Sequence, residues 1–355
     1  ISVDQTGIYQ LTYQDLQNMG FSHPENIKVF GYGGNMLPEY FNQEARLADD
    51  LPEIPIYMEK GGDGVFNTGD YILFYAQGPT KVTYNSNSSS FTHTQNPYST
   101  KGYYFLTTDA GQGKRISKQA AENGKSFTSI TKTYRYFYHE KELENLLKSG
   151  RDWYGETFNA EKNTLTLTFN IPHITTDNIY LNACYIGKGE GLHRLILDTE
   201  SESNSLLVYG SSSSYISASK GKIAKKVAQP GANPLTITCT YQPPFSNSQA
   251  HLDYVGISAY QQLYMHGAQL PIFYPTNYRY DHVYQYVLAN ANPAVKIWDI
   301  TNPIEAKEMP VERENNQLSF TAKTLSDRYF IAVNTQGEFP TPTVIGTISN
   351  QDLHS

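Results

Sequence analysis

The sequence predicts a mainly β protein: an antiparallel β-sandwich, jelly-roll-like domain preceded by a smaller β-rich domain of α+β or barrel-like type. Three observations carry this. Short apolar runs, several alternating with period two, recur along the 355 residues between Gly, Asn and Pro turns, the pattern of sandwiches and barrels. Tyrosine, at 29 residues, is the most unusual number in the composition; Tyr and Thr suit a half-buried pleated surface, an apolar body with a polar tip. Only two segments read as helix.

The first helix starts at Thr12-Tyr-Gln-Asp15, a capping-box-like signal with Asp15 in place of the usual Glu. Leu16 and Met19 would face the core, and Gly20 is the stop. A strand at Ile27 to Phe30 leads into Phe30-Gly-Tyr-Gly-Gly-Asn-Met36. This run resembles a phosphate loop but fails as one. Met36 stands at the third glycine position, and Pro38 follows without a helix pattern. A turn or bulge that uses glycine freedom is the better reading.

Strands at Ile54 to Met58 and Tyr71 to Tyr75 flank a Gly-rich stretch holding Asp63, Asn67 and Asp70. These hard oxygen donors form the candidate metal site, with calcium as the ion. The EF-hand pattern is absent, and two turns around a short strand explain the same residues. Asn85 to Ser90 reads as a loop tip, and Tyr103 to Thr107 as a strand. The stretch Asp109 to Lys125 carries Gly111, Gly113 and Gly124 with few large apolar residues. It reads as a connector or long hairpin loop. The expected division is therefore 1–120, 121–345 and a polar linker at 346–355.

The second helix is predicted over Glu140 to Ser149, with Leu143, Leu146 and Leu147 on one stripe and Gly150 as C-cap. Strands follow at Thr164 to Phe169, Asn178 to Ile186, Leu195 to Leu197, Leu235 to Tyr241, Val255 to Tyr260, Val295 to Trp298 and Arg328 to Val333. In the run Leu235 to Tyr241 the residues Leu235, Ile237, Cys239 and Tyr241 share one face, opposite three threonines. Cys184 and Cys239 are the two cysteines. Two are too few for a disulfide framework, and no Cys-x-x-Cys occurs. Buried core thiols are the first reading; a single disulfide between them is the alternative. Trp153 and Trp298 are read as core packing ahead of sugar platforms.

Composition excludes several functions. The 27 Lys and Arg against 34 Asp and Glu leave a net charge of −7, unlike the basic balance of a nucleic-acid binder. Apolar runs such as Tyr71 to Ala76 are far shorter than the roughly 18 residues a membrane span needs. The nine histidines are scattered; neither His-Glu-x-x-His nor Gly-x-Ser-x-Gly occurs. Cys184 follows a strand-like run, with His173 and His193 near it in sequence. Neither histidine has a Gly-flanked strand-end setting, so Cys184 reads as core, not as a nucleophile. No catalytic residue and no organic cofactor is expected. Few charges with much Tyr, Ser and Asn fit an extracytoplasmic protein, at the outer-membrane surface or secreted. No signal peptide is present at Ile1, and the polar ending suggests a chain cut from something longer.

Several segments, taken in order, resemble one family. They are Gly7-Ile-Tyr-Gln-Leu-Thr-Tyr-Gln-Asp-Leu16, Val29-Phe-Gly-Tyr-Gly-Gly-Asn-Met-Leu-Pro38 and Asp63-Gly-Val-Phe-Asn-Thr-Gly-Asp-Tyr-Ile-Leu-Phe-Tyr-Ala76. Later come Leu146-Leu-Lys-Ser-Gly-Arg-Asp-Trp-Tyr-Gly-Glu-Thr-Phe158, Ile297-Trp-Asp-Ile-Thr-Asn-Pro303 and Asn350-Gln-Asp-Leu-His354. Together they resemble the N-terminal region of the PorU-like sortases of the type IX secretion system in Bacteroidetes, gingipain-like C25 cysteine peptidases. The resemblance implies a catalytic domain downstream, with a His in a Gly-His-Gly setting and a later Cys. Both would follow Asn350 to His354, so no catalytic residue carries over to this sequence. Such an enzyme removes a C-terminal sorting domain from secreted cargo. It passes the new carboxyl end to an amine of surface lipopolysaccharide, an acyl transfer through a thioester.

The implied role of this chain is a non-catalytic scaffold. Its expected partners are its own downstream peptidase domain and other secretion or attachment-complex proteins at the outer surface, with glycan or lipopolysaccharide as a further class. No nucleic acid is expected. The alternative is a glycan-binding or adhesion β-sandwich of a secreted surface protein.

Overall fold

The computed structural model describes residues 1–36, 50–109, 111–124, 126–146, 148, 152–210, 220–228, 231, 233–276, 282–323 and 326–349. They are mainly strand. In chain order these are β1 (Ser2–Val3), β2 (Gly7–Thr12), α1 (Tyr13–Asn18), β3 (Lys28–Gly33), β4 (Glu53–Ile54), β5 (Ile56–Glu59), β6 (Tyr71–Ala76), β7 (Thr80–Asn85), β8 (Ser90–Gln95) and β9 (Gly102–Thr107). Next come β10 (Ser117–Lys118), β11 (Ser126–Ile130), β12 (Lys132–Glu140), β13 (Thr157–Phe158), β14 (Thr164–Phe169), β15 (Ile179–Lys188), β16 (Leu192–Asp198), β17 (Ser203–Tyr209), β18 (Lys220–Val227), β19 (Leu235–Gln242) and β20 (Gln249–Gln262). The last are β21 (Gln269–Phe273), β22 (His282–Ala289), β23 (Val295–Asp299), β24 (Lys307–Glu308), β25 (Glu312–Glu314), β26 (Gln317–Lys323) and β27 (Tyr329–Asn334).

The chain divides into two compact units interleaved in sequence. One holds Ile1–Lys81, His93–Ile130 and Tyr264–Ser355; the other holds Val82–Thr92 and Thr131–Leu263. This differs from consecutive domains at 1–120 and 121–345. The reason is pairing between distant strands: β10 lies parallel to β24, and β11 parallel to β22. Closing a longer loop costs only about 0.6 kcal/mol per doubling, so sequence distance does not forbid it. The expected connector is also tied down. The Ile116 N–H donates to the Ile56 carbonyl, and Ser117–Lys118 is a short strand; Ala110 and Lys125 lie outside the described residues.

In the first unit, α1 forms as its capping signal requires. The Asp15 N–H donates to Thr12 Oγ1 at 3.0 Å, and the Thr12 N–H donates back to Asp15 Oδ2 at 2.9 Å. Leu16 is fully buried, and the helix gives way at Met19 and Gly20, whose φ is +96°. The sheet β2-β6-β5 is buried on both faces. Tyr9, Leu11, Ile72 and Phe74 pack in one cluster with Leu16 and Val29, while Ile8 and Leu73 pack with Trp298 and Val333 in another. That is why Tyr71–Ala76 reads as a continuous apolar run instead of an alternation. The predicted bulge after Phe30 is present, with a register shift between Phe30 and Gly33 and φ of +82° at Gly33.

The second unit is a sandwich of two antiparallel sheets, β12-β20-β15-β18 with β13 on β20, and β14-β19-β16-β17. Leu181, Ala183, Tyr185, Val255 and Ile257 from the first meet Leu167, Leu195, Leu197, Ile237, Cys239 and Tyr241 from the second in one core. The period-two reading of β19 holds, with Leu235, Ile237, Cys239 and Tyr241 all fully buried. Both cysteines are buried and free, so the disulfide alternative falls.

The second predicted helix is not formed. Glu140 ends β12, whose nine residues all pair with β20. The N–H groups of Leu143 and Glu144 donate to the Tyr154 carbonyl. Leu143 is 62% exposed, so the first leucine of the stripe buries nothing, and a ten-residue helix without tertiary packing is marginal. Leu147, Ser149 and Gly150 lie outside the described residues. Trp298, expected in the sandwich, belongs to the first unit. The expected linker has no regular structure over residues 346–349, and residues 350–355 lie outside the described residues.

Candidate functional site

The thiols are the first place to look for chemistry. On β15, Ala183 and Tyr185 point into the sandwich core, so Cys184 between them points to the other face. There burial and the Asp253 carboxylate both push its pKa up. Lys220 Nζ sits 3.2 Å from Asp152 Oδ1 and 3.3 Å from Asp253 Oδ2, so the carboxylates occupy the cation beside this thiol. Burial pushes Cys239 up to about 12, with Glu156 and Asp198 adding to it. A nucleophilic cysteine needs the opposite shift.

The histidines named with Cys184 are engaged otherwise. His193 is fully buried; its Nδ1 lies 2.6 Å from Tyr241 Oη and its Nε2 3.1 Å from the Gly189 carbonyl. A carbonyl only accepts, so Nε2 carries the proton and the Tyr241 hydroxyl donates to Nδ1. The ring fills a glycine slot. A Cβ on Gly187 would lie 2.5 Å from its Cγ, and one on Gly210 would lie 2.2 Å from its Nε2. His173 sits in a turn with φ of +55°.

Asp63, Asn67 and Asp70 are brought together, as two linked turns. Asp63 accepts from the Val65 N–H and from Asn67 Nδ2, both at 2.9 Å, and Asp70 Oδ2 accepts from the Asn67 N–H at 2.8 Å. The Val65 and Asn67 donors hold the Asp63 carboxyl below its usual range. A cation at this place would compete with those donors. Among the described residues no group of three or more His, Cys, Asp or Glu is placed to hold a metal ion. Trp298 is fully buried against Tyr57, while Trp153 is 36% exposed.

One charged centre has no signature in the sequence. Arg328 Nη1 donates to both Glu122 oxygens at 3.0 and 2.9 Å, and its Nη2 donates to Asp299 Oδ2 at 2.5 Å. With Thr301, Lys323 and Ser326 these groups line a surface cavity of about 400 Å³. Burial opposes the guanidinium charge, but Asp299 and Glu122 outweigh it and raise its pKa. Arg328, Glu122 and Asp299 neutralise one another here, which makes the triad a structural tie.

The molecule is thus a mainly β protein of two units, whose thiols are shielded instead of activated. A solved structure shares this architecture: dimeric latent PorU from Porphyromonas gingivalis. It aligns with 99% of this chain at a TM-score of 0.85 and 27% identity. The chain has a PorU-like fold, and it spans 33% of the length of that PorU chain. A carbohydrate-binding module of a xylanase from the hindgut metagenome of Trinervitermes trinervoides aligns at a TM-score of 0.24 and 15% identity, over 35% of this chain and 96% of that one. Overlap at that level carries no inference. No family model matches the sequence, and no curated protein matches it.

Proposed function

We propose that this chain is the non-catalytic scaffold and docking region of a cell-surface, gingipain-like C25 cysteine peptidase of the sortase type, whose catalytic domain lies outside this sequence. The observation that carries the reading is the alignment with PorU along 99% of the chain. The raised pKa values of both thiols favour it, because they leave the described residues without an activated cysteine. In this reading the region positions the peptidase at the outer surface and docks proteins of the attachment complex. The test is a sorting assay in cells carrying the longer protein with and without residues 1–345. Loss of cargo processing while the peptidase still folds and reaches the surface supports the reading. Normal sorting without these residues overturns it.

A second reading, glycan binding, is favoured by a separate observation. On β9, Tyr103 and Phe105 are 46% and 39% exposed, and Phe30 on β3 lies opposite Phe105 in register. Aromatic faces of this kind stack on sugar rings. Binding to a glycan array that is lost in Y103A/F105A supports it, and a blank array removes it.

A further inference from the structure

The tip of the β7–β8 hairpin, Val82–Thr92, belongs to the second unit. Only two of its residues are buried, Ser90 at 3% and Phe91 at 4% exposure. Phe91 is held at three points. Its N–H donates to Ser258 Oγ at 3.0 Å, and its carbonyl accepts from Asn182 Nδ2 at 3.0 Å. Its ring packs against Tyr84 of its own hairpin at 5.3 Å, and against Tyr134 and Tyr136 of β12 at 5.5 and 6.2 Å between centroids. The Tyr134 hydroxyl donates to the Ser89 carbonyl at 2.9 Å, which fixes the segment two residues before Phe91.

The receiving side is built from buried groups. Ser258 on β20 is fully buried, and Asn182 on β15 is 4% exposed. The Tyr136 hydroxyl lies 3.4 Å from Asn182 Oδ1, which turns the Nδ2 toward Phe91. Space for this comes from Gly256, where a Cβ would lie 2.1 Å from Tyr136 Oη and 2.3 Å from Asn182 Oδ1. So two buried polar side chains read both main-chain groups of one extended residue, and an aromatic pocket reads its side chain. Main-chain bonds for affinity with a pocket for a side chain is how sheets recognise extended peptides. No charged side chain takes part in these contacts. A two-stranded hairpin is marginal by itself in water; this one is held through Phe91, with Tyr84 beside it 6.2 Å from the Tyr134 ring.

We infer that the Asn182–Ser258 face is a receptor groove for an extended, uncharged peptide segment presenting one phenylalanine, and that the chain's own Phe91 fills it as an exchangeable plug. This inference stands apart from the peptidase reading, since it uses only groups within the second unit.

The test uses the full chain with Phe91→Ala, which empties the pocket and keeps the hairpin. The probe is a fluorescein-labelled peptide of the sequence Ser88 to Gln95, read by anisotropy. The F91A chain is expected to bind it, and to bind a peptide with Ala in place of Phe about tenfold more weakly or worse. Adding Ser258→Ala should weaken binding further. The unaltered chain should bind less well, because its tethered hairpin competes at an effective concentration of about millimolar. Equal binding of the two peptides, or no binding by a folded F91A chain, overturns the inference. Hydrogen exchange on the unaltered chain gives an independent check should F91A not fold. The Phe91 amide should exchange about a hundredfold faster than amides in the centre of β15, through local opening. Exchange of both only at global unfolding overturns the inference.

Discussion

Arg328 and Glu122 lie 206 positions apart, yet one guanidinium nitrogen serves both oxygens of the carboxylate. The pair ties the segment before β11 to the segment before β27, and Asp299 closes it from β23. Arg328 and both carboxylates are largely buried, at 12%, 20% and 15% side-chain exposure. Breaking such a pair leaves a charge uncompensated, typically at a cost of about 3–5 kcal/mol. Arg328→Ala should therefore lower unfolding stability by about that amount. Glu122→Gln keeps an acceptor and should cost less. Urea unfolding of the two variants checks the order; equal stabilities would remove the network from the account.

Stability should also fall below about pH 6.5, the ordinary histidine value. Burial depresses the pKa of His193 and of His251. The unfolded chain therefore takes up these protons first as the pH drops. The stability they provide is complete above the unfolded value and is lost as pH falls through the folded one. Glu142 acts in the opposite sense, because partial burial and the neighbouring Glu140 carboxylate raise its pKa. Glu142→Gln should therefore steepen the acid loss between pH 7 and 5, and His193→Gln should flatten it. Denaturant titrations at several pH values would show this, and an unchanged slope in H193Q would contradict it.

The thiols should be silent in the folded protein. Cys184 and Cys239 are buried and both shifted toward the neutral form. Iodoacetamide at pH 8 is expected to label neither in native buffer and both in guanidinium, with mass spectrometry as the readout. Fast native labelling of Cys184 would restore it as a reactive group.

The Asp63–Asn67–Asp70 turns should stand without a cation. Their carboxylates already accept from the Val65 and Asn67 donors. Chelator should leave the thermal midpoint unchanged, whereas Asp70→Ala should cost about 1–2 kcal/mol by leaving the Asn67 N–H unpaired. A midpoint that rises with added calcium would make this a metal site.

How much of this was legible depends on the range of the interaction. The α1 start could be read from Thr12 and Asp15 because both partners lie within one turn. The Cys239 face could be read because period two is a local property of β19. The segment after Glu140 could not, since its leucine spacing fits a helix and the decision lies with β20, which pairs with β12. The interleaving of the units was not legible for the same reason, as β11 finds β22 more than 150 residues away. At the site, the buried setting of Cys184 and Cys239 was visible from the strand-like runs that hold them. The groove around Phe91 was not, because Asn182 and Ser258 are single polar residues in strands and gain meaning only from what crosses them.

The interleaving of the two units sets an order on synthesis. Thr131–Leu263 is continuous, so most of the second unit's strands are present once residue 263 has left the ribosome. The first unit must wait for Tyr264 and beyond, and until then β11 lacks its partner β22. A nascent chain halted between these points would carry β10 and β11 without their partners β24 and β22, the kind of open strand edge that holdase chaperones bind.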